Sequence, residues 1–219
     1  MSADPPPEIV VTGGRGGLAR AITARFREGG WSIAAPGREE LDVTDGRAVA
    51  DYLAGRRPAL LVCNAGVIRD APLARLDPGD WRHVVEVNFH GARRCAAAVL
   101  PGMVRRGAGH IIFISSRSAL HPPAGQSAYA AAKAALLGLT RDLAAEAGPH
   151  GIRVNAVLPG FLETPMTARV TRARRDAVRA EHTLDRLNTP EAAARFIWHL
   201  HHELPHTSAQ VFQLDSRAG

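Results

Sequence analysis

Lysine is almost absent from this chain: of its 27 basic residues, only Lys133 is a lysine. Aromatic residues are few at 5%, and there are two cysteines. No run of about 18 apolar residues occurs, which excludes a membrane-spanning helix, so no membrane partner is expected. Cys63 and Cys95 lie in apolar stretches and read as small buried hydrophobes rather than a disulfide. No His/Cys spacing suits zinc, so no metal is expected. The start, Met1 to Pro7, lacks the basic and apolar regions of a signal peptide, and cytoplasmic residence is the expectation. The net charge of +6 and pI near 10.5 invite a nucleic-acid reading. The arginines are scattered, however, and no aromatic platform accompanies them, so no nucleic-acid partner is expected.

What remains is an apolar, alternating chain. Its 219 residues, 46% hydrophobic, fit one domain covering 1–219. Strands are expected at 8–12, 31–35, 59–64, 110–115, 153–158 and 210–214. Helices are expected at 18–28, 44–54 with Thr44 as N-cap, 78–105, 127–147, 165–182 and from Pro190 after a Thr189 cap. Strands alternating with helices, several continuously apolar, define an α/β fold with a mostly parallel sheet covered on both faces. Only five residues, 36–40, separate the second strand from Leu41-Asp42-Val43. A parallel crossover needs a dozen or more. The crossover helix is therefore missing there, and Leu41–Val43 is a stub or no strand.

Gly13-Gly14-Arg15-Gly16-Gly17-Leu18 stands between the first strand and the first helix. Glycines there let the backbone approach a pyrophosphate, and the helix N-terminus offers free N–H groups. After the second strand comes Ala34-Ala35-Pro36-Gly37-Arg38, with no acid before Glu39. Arg38 and Arg15 suit a 2′-phosphate, so NADP(H) is favoured, while Glu39 and Glu40 keep NAD(H) open. Both arginines also read as solvent-facing residues in an Arg-rich chain. Tyr129 and Lys133 sit at i and i+4 on one helical face, where an ammonium beside a phenol suits proton transfer. Taken singly, that pair reads as packing, Ser116 as a strand-end turn residue and Asn88 as a buried amide.

Together these motifs resemble the short-chain dehydrogenases/reductases, most like bacterial 3-oxoacyl-(acyl carrier protein) reductases. The matching residues are Thr12-Gly13-x-x-x-Gly17, Asn64-Ala65-Gly66, Asn88, Ser116 thirteen residues before Tyr129, Tyr129-x-x-x-Lys133, Pro159-Gly160-Phe161-Leu162-Glu163-Thr164, Thr189-Pro190-Glu191 and the segment 210–215. Departures are Ala19 at the third loop glycine, Arg15 one place early, the short 36–40 link and no glycine pair after Asp215. The resemblance implies a single-domain Rossmann-type doubly wound sheet, shortened between its second and third strand positions. It implies a catalytic set of Asn88, Ser116, Tyr129 and Lys133. Tyr129 is then a general acid made more acidic by Lys133, Ser116 binds the carbonyl, and Asn88 holds a water. Lys133 and Tyr129 also contact the cofactor, with Asp42 and Val43 at the adenine, Asn64, Ala65 and Gly66 beneath it, and Pro159, Gly160, Leu162 and Thr164 at the nicotinamide.

The reaction implied is NADPH-dependent reduction of a ketone, on a 3-oxoacyl thioester or a polyketide-like substrate. The alternatives are a secondary alcohol or sugar dehydrogenase of the same fold and a non-catalytic dinucleotide-binding regulator. The resemblance implies a lid at about 165–188. Its arginines Arg169, Arg172, Arg174, Arg175 and Arg179, with Arg93, Arg94, Arg105 and Arg106, suit an acyl carrier protein or coenzyme A phosphates. A solvated amphipathic helix is the plainer reading of that segment. His121, Gln126, Phe161 and Leu162 are candidate pocket residues. The Ala-rich helices suit close helix–helix approach, and the resemblance implies that they form the interface of a homodimer or homotetramer.

Overall fold

The computed structural model describes residues 5–165, 167–168 and 170–217. One parallel sheet contains β1 (Glu8–Val11), β2 (Ser32–Ala34), β3 (Leu60–Cys63), β4 (Gly109–Ile114), β5 (Ile152–Leu158) and β6 (Val211–Gln213), in the order β2-β1-β3-β4-β5-β6. Strands β3 and β4 are apolar because both their faces are covered. On one side lie α1 (Gly17–Glu28) and α7 (Pro190–His202), which bury Ile22, Phe26, Ile197 and Leu200. On the other lie α2 (Gly46–Leu53), α4 (Ala92–Arg106) and α5 (Ser127–Ala147), which bury Val49, Met103 and Leu136. Helices α3 (Pro78–Val85) and α6 (Arg172–Ala180) complete the set among the described residues. No helix among those residues is long and apolar enough to cross a membrane.

The chain leaves β1 for β2 on one side and returns to β3 on the other. The strand order therefore reverses above the C-terminal ends of β1 and β3, where ligands of such sheets bind. The missing crossover is real. After β2, the chain turns at Gly37, whose carbonyl accepts from Glu40 and Leu41 N–H, and reaches α2 with no strand at 41–43. Leu41 and Val43 are buried at 4% and 6% exposure, as core residues rather than strand residues. Strand β2 is left as the sheet edge.

Three expectations change. Asp45, not Thr44, caps α2; its carboxylate accepts from Arg47 and Ala48 N–H, while the Thr44 hydroxyl donates to Asp42. The helix expected at 78–105 is interrupted by a π-helical turn at Glu86–Gly91. The basic helix is shorter than 165–182. Thr171 caps it, and among the described residues before it the Thr167 hydroxyl donates to Leu162 O at 2.7 Å.

Candidate active site

The loops that follow β1, β3, β4 and β5 converge above the sheet. Gly13 takes φ of +68°, and a Cβ on it would lie 2.9 Å from Ala65 Cα, so the two loops touch through backbone. Thr12 is buried, and its hydroxyl accepts from Asn64 N–H and Ala65 N–H, each at 3.0 Å. Asn64 Nδ2 donates back to Thr12 O at 3.0 Å. Helix α1 starts at Gly16 with no side-chain cap and no acidic residue in its first turn, whereas α2, α3, α6 and α7 are capped by Asp or Thr. Its N-terminal N–H groups and dipole are thus left for an anion. Gly17 approaches the 159–164 loop so closely that a Cβ would come within 2.9 Å of Thr164 Cγ2. Gly13, Gly16, Gly17, Asn64, Ala65 and Thr164 therefore come together in one cradle, whose donor set fits a pyrophosphate-linked dinucleotide, while Leu18 packs into the core beneath it.

Beside the cradle stand the four polar residues picked out in sequence. Ser116 follows β4, thirteen residues before Tyr129; its Oγ accepts from Ser118 N–H at 3.2 Å, and its hydroxyl acts on the Tyr129 phenol by favouring the ionised form. Lys133 is only 3% exposed; its Nζ donates to Ile114 O at 2.8 Å and lies 5.7 Å from the centre of the Tyr129 ring. Ser115 Oγ donates to Lys133 O at 2.8 Å, so α5 is stitched to the end of β4 at both atoms. Asn88 sits in the π-helical turn. Its Nδ2 donates to Val84 O and Val67 O, both at 2.8 Å, while its buried Oδ1 has no partner. A wide turn that re-aims one side chain is a common use of π geometry at functional sites. Gly66 faces this group: a Cβ there would lie 2.7 Å from Asn88 Oδ1 and 3.6 Å from Lys133 Nζ.

The electrostatics correct one expectation. Burial pushes the Tyr129 phenol up to about 12; the Ser116 hydrogen bond lowers it, and the Asp70 carboxylate raises it. Burial pulls Lys133 down to about 8. The ammonium donates to Ile114 O, and burial rather than Lys133 dominates where the phenol titrates.

The remaining predicted residues are spread more widely. Arg15 pairs with Glu39 at 3.0 Å and Arg38 with Asp42 at 3.3 Å, all on the loop after β2 except Arg15 itself. Burial pushes the Asp42 carboxyl up, but hydrogen bonds from Thr44 and the Arg38 guanidinium outweigh it and hold it below the usual range. Val43 is buried against Gly91. Gly160 takes φ of +81° over Asp215, Pro159 O accepts from Asn188 Nδ2 at 2.8 Å, and Leu162 is buried. Arg106 donates to Pro58 O, before β3, and so lies at the opposite end of the sheet from the cradle. It does not belong to the field of α6, and Arg94 is paired with Glu86. Arg169 lies outside the described residues. Two site residues were missed. Thr12 carried a signal, as the first residue of the glycine motif. Asp70 carried none, because it is far from Tyr129 in sequence.

Comparison with known proteins agrees with this geometry. A family model described as short chain dehydrogenase matches residues 40–175. The 3-oxoacyl-(acyl-carrier-protein) reductase of Thermotoga maritima is 32% identical, over 94% of this chain and 95% of its own length. The (3R)-3-hydroxyacyl-CoA dehydrogenase of Mus musculus is 34% identical, over 84% of this chain and 85% of its own. A crystal structure of a short chain dehydrogenase/reductase family oxidoreductase from Burkholderia thailandensis superposes with a TM-score of 0.90 at 28% identity, covering 97% of this chain and 92% of that one. The chain belongs to the short chain dehydrogenase/reductase family. It is an NAD(P)-dependent oxidoreductase related to 3-oxoacyl-(acyl-carrier-protein) reductases and 3-hydroxyacyl-CoA dehydrogenases.

Proposed function

We propose that this chain is an NADPH-dependent ketoreductase acting on a 3-oxoacyl thioester or a polyketide-like ketone. The observation that carries the reading is Lys133, buried at the end of β4 with its Nζ on Ile114 O and 5.7 Å from the centre of the Tyr129 ring, one helical turn along the same face. The names of the Thermotoga and mouse relatives both point to acyl thioesters.

When bound, the dihydronicotinamide supplies a hydride to the carbonyl carbon. The protein supplies the proton and the orientation. Tyr129 Oη donates its proton to the carbonyl oxygen, and Ser116 Oγ hydrogen-bonds the same oxygen as negative charge develops. A phenol raised by burial is fully protonated near neutrality, the form a donor needs. Lys133 Nζ holds the ribose hydroxyls of the cofactor, and Asn88 Oδ1 accepts from a water that returns a proton from solvent. Gly13, Gly16, Gly17 and Leu18 bind the pyrophosphate. Asn64, Ala65 and Gly66 lie under the ribose, Asp42 and Val43 at the adenine, and Pro159, Gly160, Leu162 and Thr164 at the nicotinamide. Arg15 and Arg38 exchange their glutamate and aspartate partners for the 2′-phosphate, which favours NADP(H) over NAD(H).

Residues 1–219 act as one dinucleotide-binding unit, with a lid at about 165–188. Exposed Arg172, Arg174 and Arg179 on α6, with Arg175 beside them, receive an acyl carrier protein or coenzyme A phosphates. The protein works in the cytoplasm as a homodimer or homotetramer. The test is a panel of 3-oxoacyl thioesters, simple ketones, secondary alcohols and sugars, run with NADPH and NADH while cofactor absorbance is followed. Turnover of thioesters with NADPH supports the reading. Faster turnover with NADH overturns the role of Arg38, and activity on alcohols or sugars alone overturns the substrate class.

A further inference from the structure

Two loops rise beside Tyr129, one after β3 and one after β4. They are tied to each other by a chain of contacts that none of the four candidate catalytic residues explains. Ala71 N–H donates to Gly125 O at 2.9 Å. Gln126 Nε2 donates to Asp70 Oδ2 at 2.8 Å, and Gln126 Oε1 accepts from Ser118 Oγ at 3.0 Å. Ser118 N–H in turn donates to Ser116 Oγ at 3.2 Å, and Ser116 is the serine that lowers the Tyr129 phenol. The line Asp70–Gln126–Ser118–Ser116 is therefore continuous from a surface carboxylate to the serine beside the phenol. Gln126 is the residue before α5 begins, where no side chain caps the helix, so its amide is free to serve the two loops instead.

We propose that Asp70 and Gln126 are positioning residues for the reductase reaction, bracing the two loops over the cleft and fixing the Ser116–Tyr129 pair. The inference rests on the proposed reductase reading for its catalytic consequence, but the brace itself does not. Gln126 has both ends of its amide occupied by groups from different loops, which fixes its orientation. Gly125, with φ of +85°, carries the chain close enough to Ala71 for the backbone bond.

The brace also sets the charge seen by the phenol. The charged or polar groups that act on the Tyr129 phenol are Ser116 from the end of β4 and, through the Gln126 bridge, Asp70 from the loop after β3, with the Lys133 ammonium 5.7 Å from the ring centre. Of these, Asp70 supplies negative charge and opposes ionisation of the phenol, keeping it in its donor form.

The experiment separates the brace from the reaction. The chain has two tyrosines, Tyr52 and Tyr129, so protein labelled with 3-fluorotyrosine gives two fluorine NMR signals, assigned with Tyr52→Phe. Asp70→Asn keeps an acceptor for Gln126 but removes the charge. It is expected to move the Tyr129 titration to lower pH and leave Tyr52 in place. Gln126→Ala keeps the charge and cuts the bridge. It is expected to speed hydrogen exchange at the Ala71 amide by about fivefold, the loss of one hydrogen bond's protection. An unmoved Tyr129 signal in Asp70→Asn, or unchanged exchange in Gln126→Ala, overturns the proposal. With an active substrate, Gln126→Ala raises KM more than it lowers kcat, and Gln126→Glu does not restore it, because two carboxylates then face each other. If no substrate is reduced by the parent protein, the reductase reading fails, while the titration and exchange still decide the brace.

Discussion

Two buried polar clusters occupy opposite ends of the sheet, and they are built on opposite plans. At the N-terminal end of β4 and β5, every group is matched. Asn155 Nδ2 donates to Thr207 O at 2.9 Å and meets His110 Nε2 at 3.1 Å, and Asn155 Oδ1 accepts from Gln210 N–H at 3.1 Å. Because Asn155 donates to His110 Nε2, the His110 proton sits on Nδ1, which points at His201 Nδ1 at 3.2 Å. Arg153 closes the end of α7 by donating to Leu200 O, His201 O and Leu204 O at 3.0, 2.8 and 2.9 Å. At the other end, Asn88 keeps an unpaired buried oxygen, and Lys133 buries an ammonium against a neutral carbonyl. A satisfied network stabilises the fold. An unsatisfied buried oxygen such as Asn88 Oδ1 costs stability and suits a group that a bound molecule or water is to meet.

Tyr129→Phe puts this contrast under the greatest strain. Removing one hydroxyl is expected to lower kcat by roughly 10²–10⁴, with the thermal midpoint nearly unchanged. Turnover and calorimetry on the same sample read both. Asn155→Leu is the mirror image: it orphans Thr207 O, His110 Nε2 and Gln210 N–H. The expected loss is about 3 kcal/mol of stability in urea, with kcat per folded molecule retained.

Acid separates the two ends next. Burial holds His110 well below its ordinary value and pulls His201 down to about 3. Below about pH 6.5 the unfolded chain binds protons that the folded pair refuses, so stability falls as pH falls, by up to about 1.4 kcal/mol per unit per histidine. Urea midpoints between pH 7 and pH 5 test this, and His201→Asn should flatten the slope. The smallest effect lies at the site end, in alkali. Lys133 titrates near 8 in the folded protein against an ordinary value of 10.5, so the unfolded chain binds more protons between about pH 8 and 10. Stability gains a rising contribution from Lys133 across that window. Urea midpoints taken at pH 8 and pH 10 read it, and Lys133→Met should remove it.

Some of this molecule was readable along the chain because the signals are local. Apolar runs gave the strands, and the 127–147 helix matched to the residue. The five-residue link excluded a crossover helix by length alone. The helix expected across 78–105 missed the π-helical turn, because that turn is held by the Asn88 side chain bonding to Val84 and to a distant loop at Val67. The 165–182 helix was overdrawn because its basic periodicity continues into residues that Thr164, Thr167 and Leu162 fold into turns.

The order of the elements, the glycine cradle between the first strand and helix, and the four-residue step from Tyr129 to Lys133 all follow from the chain read alone. Each depends on periodicity or on reach along one segment. Folding in three dimensions was needed to bring Asp70 into the phenol's surroundings, to set Arg106 at the far end of the sheet, and to bond Lys133 to Ile114 rather than to Tyr129. Burial and charge at a point depend on segments brought together from across the chain, and no local spacing carries that information.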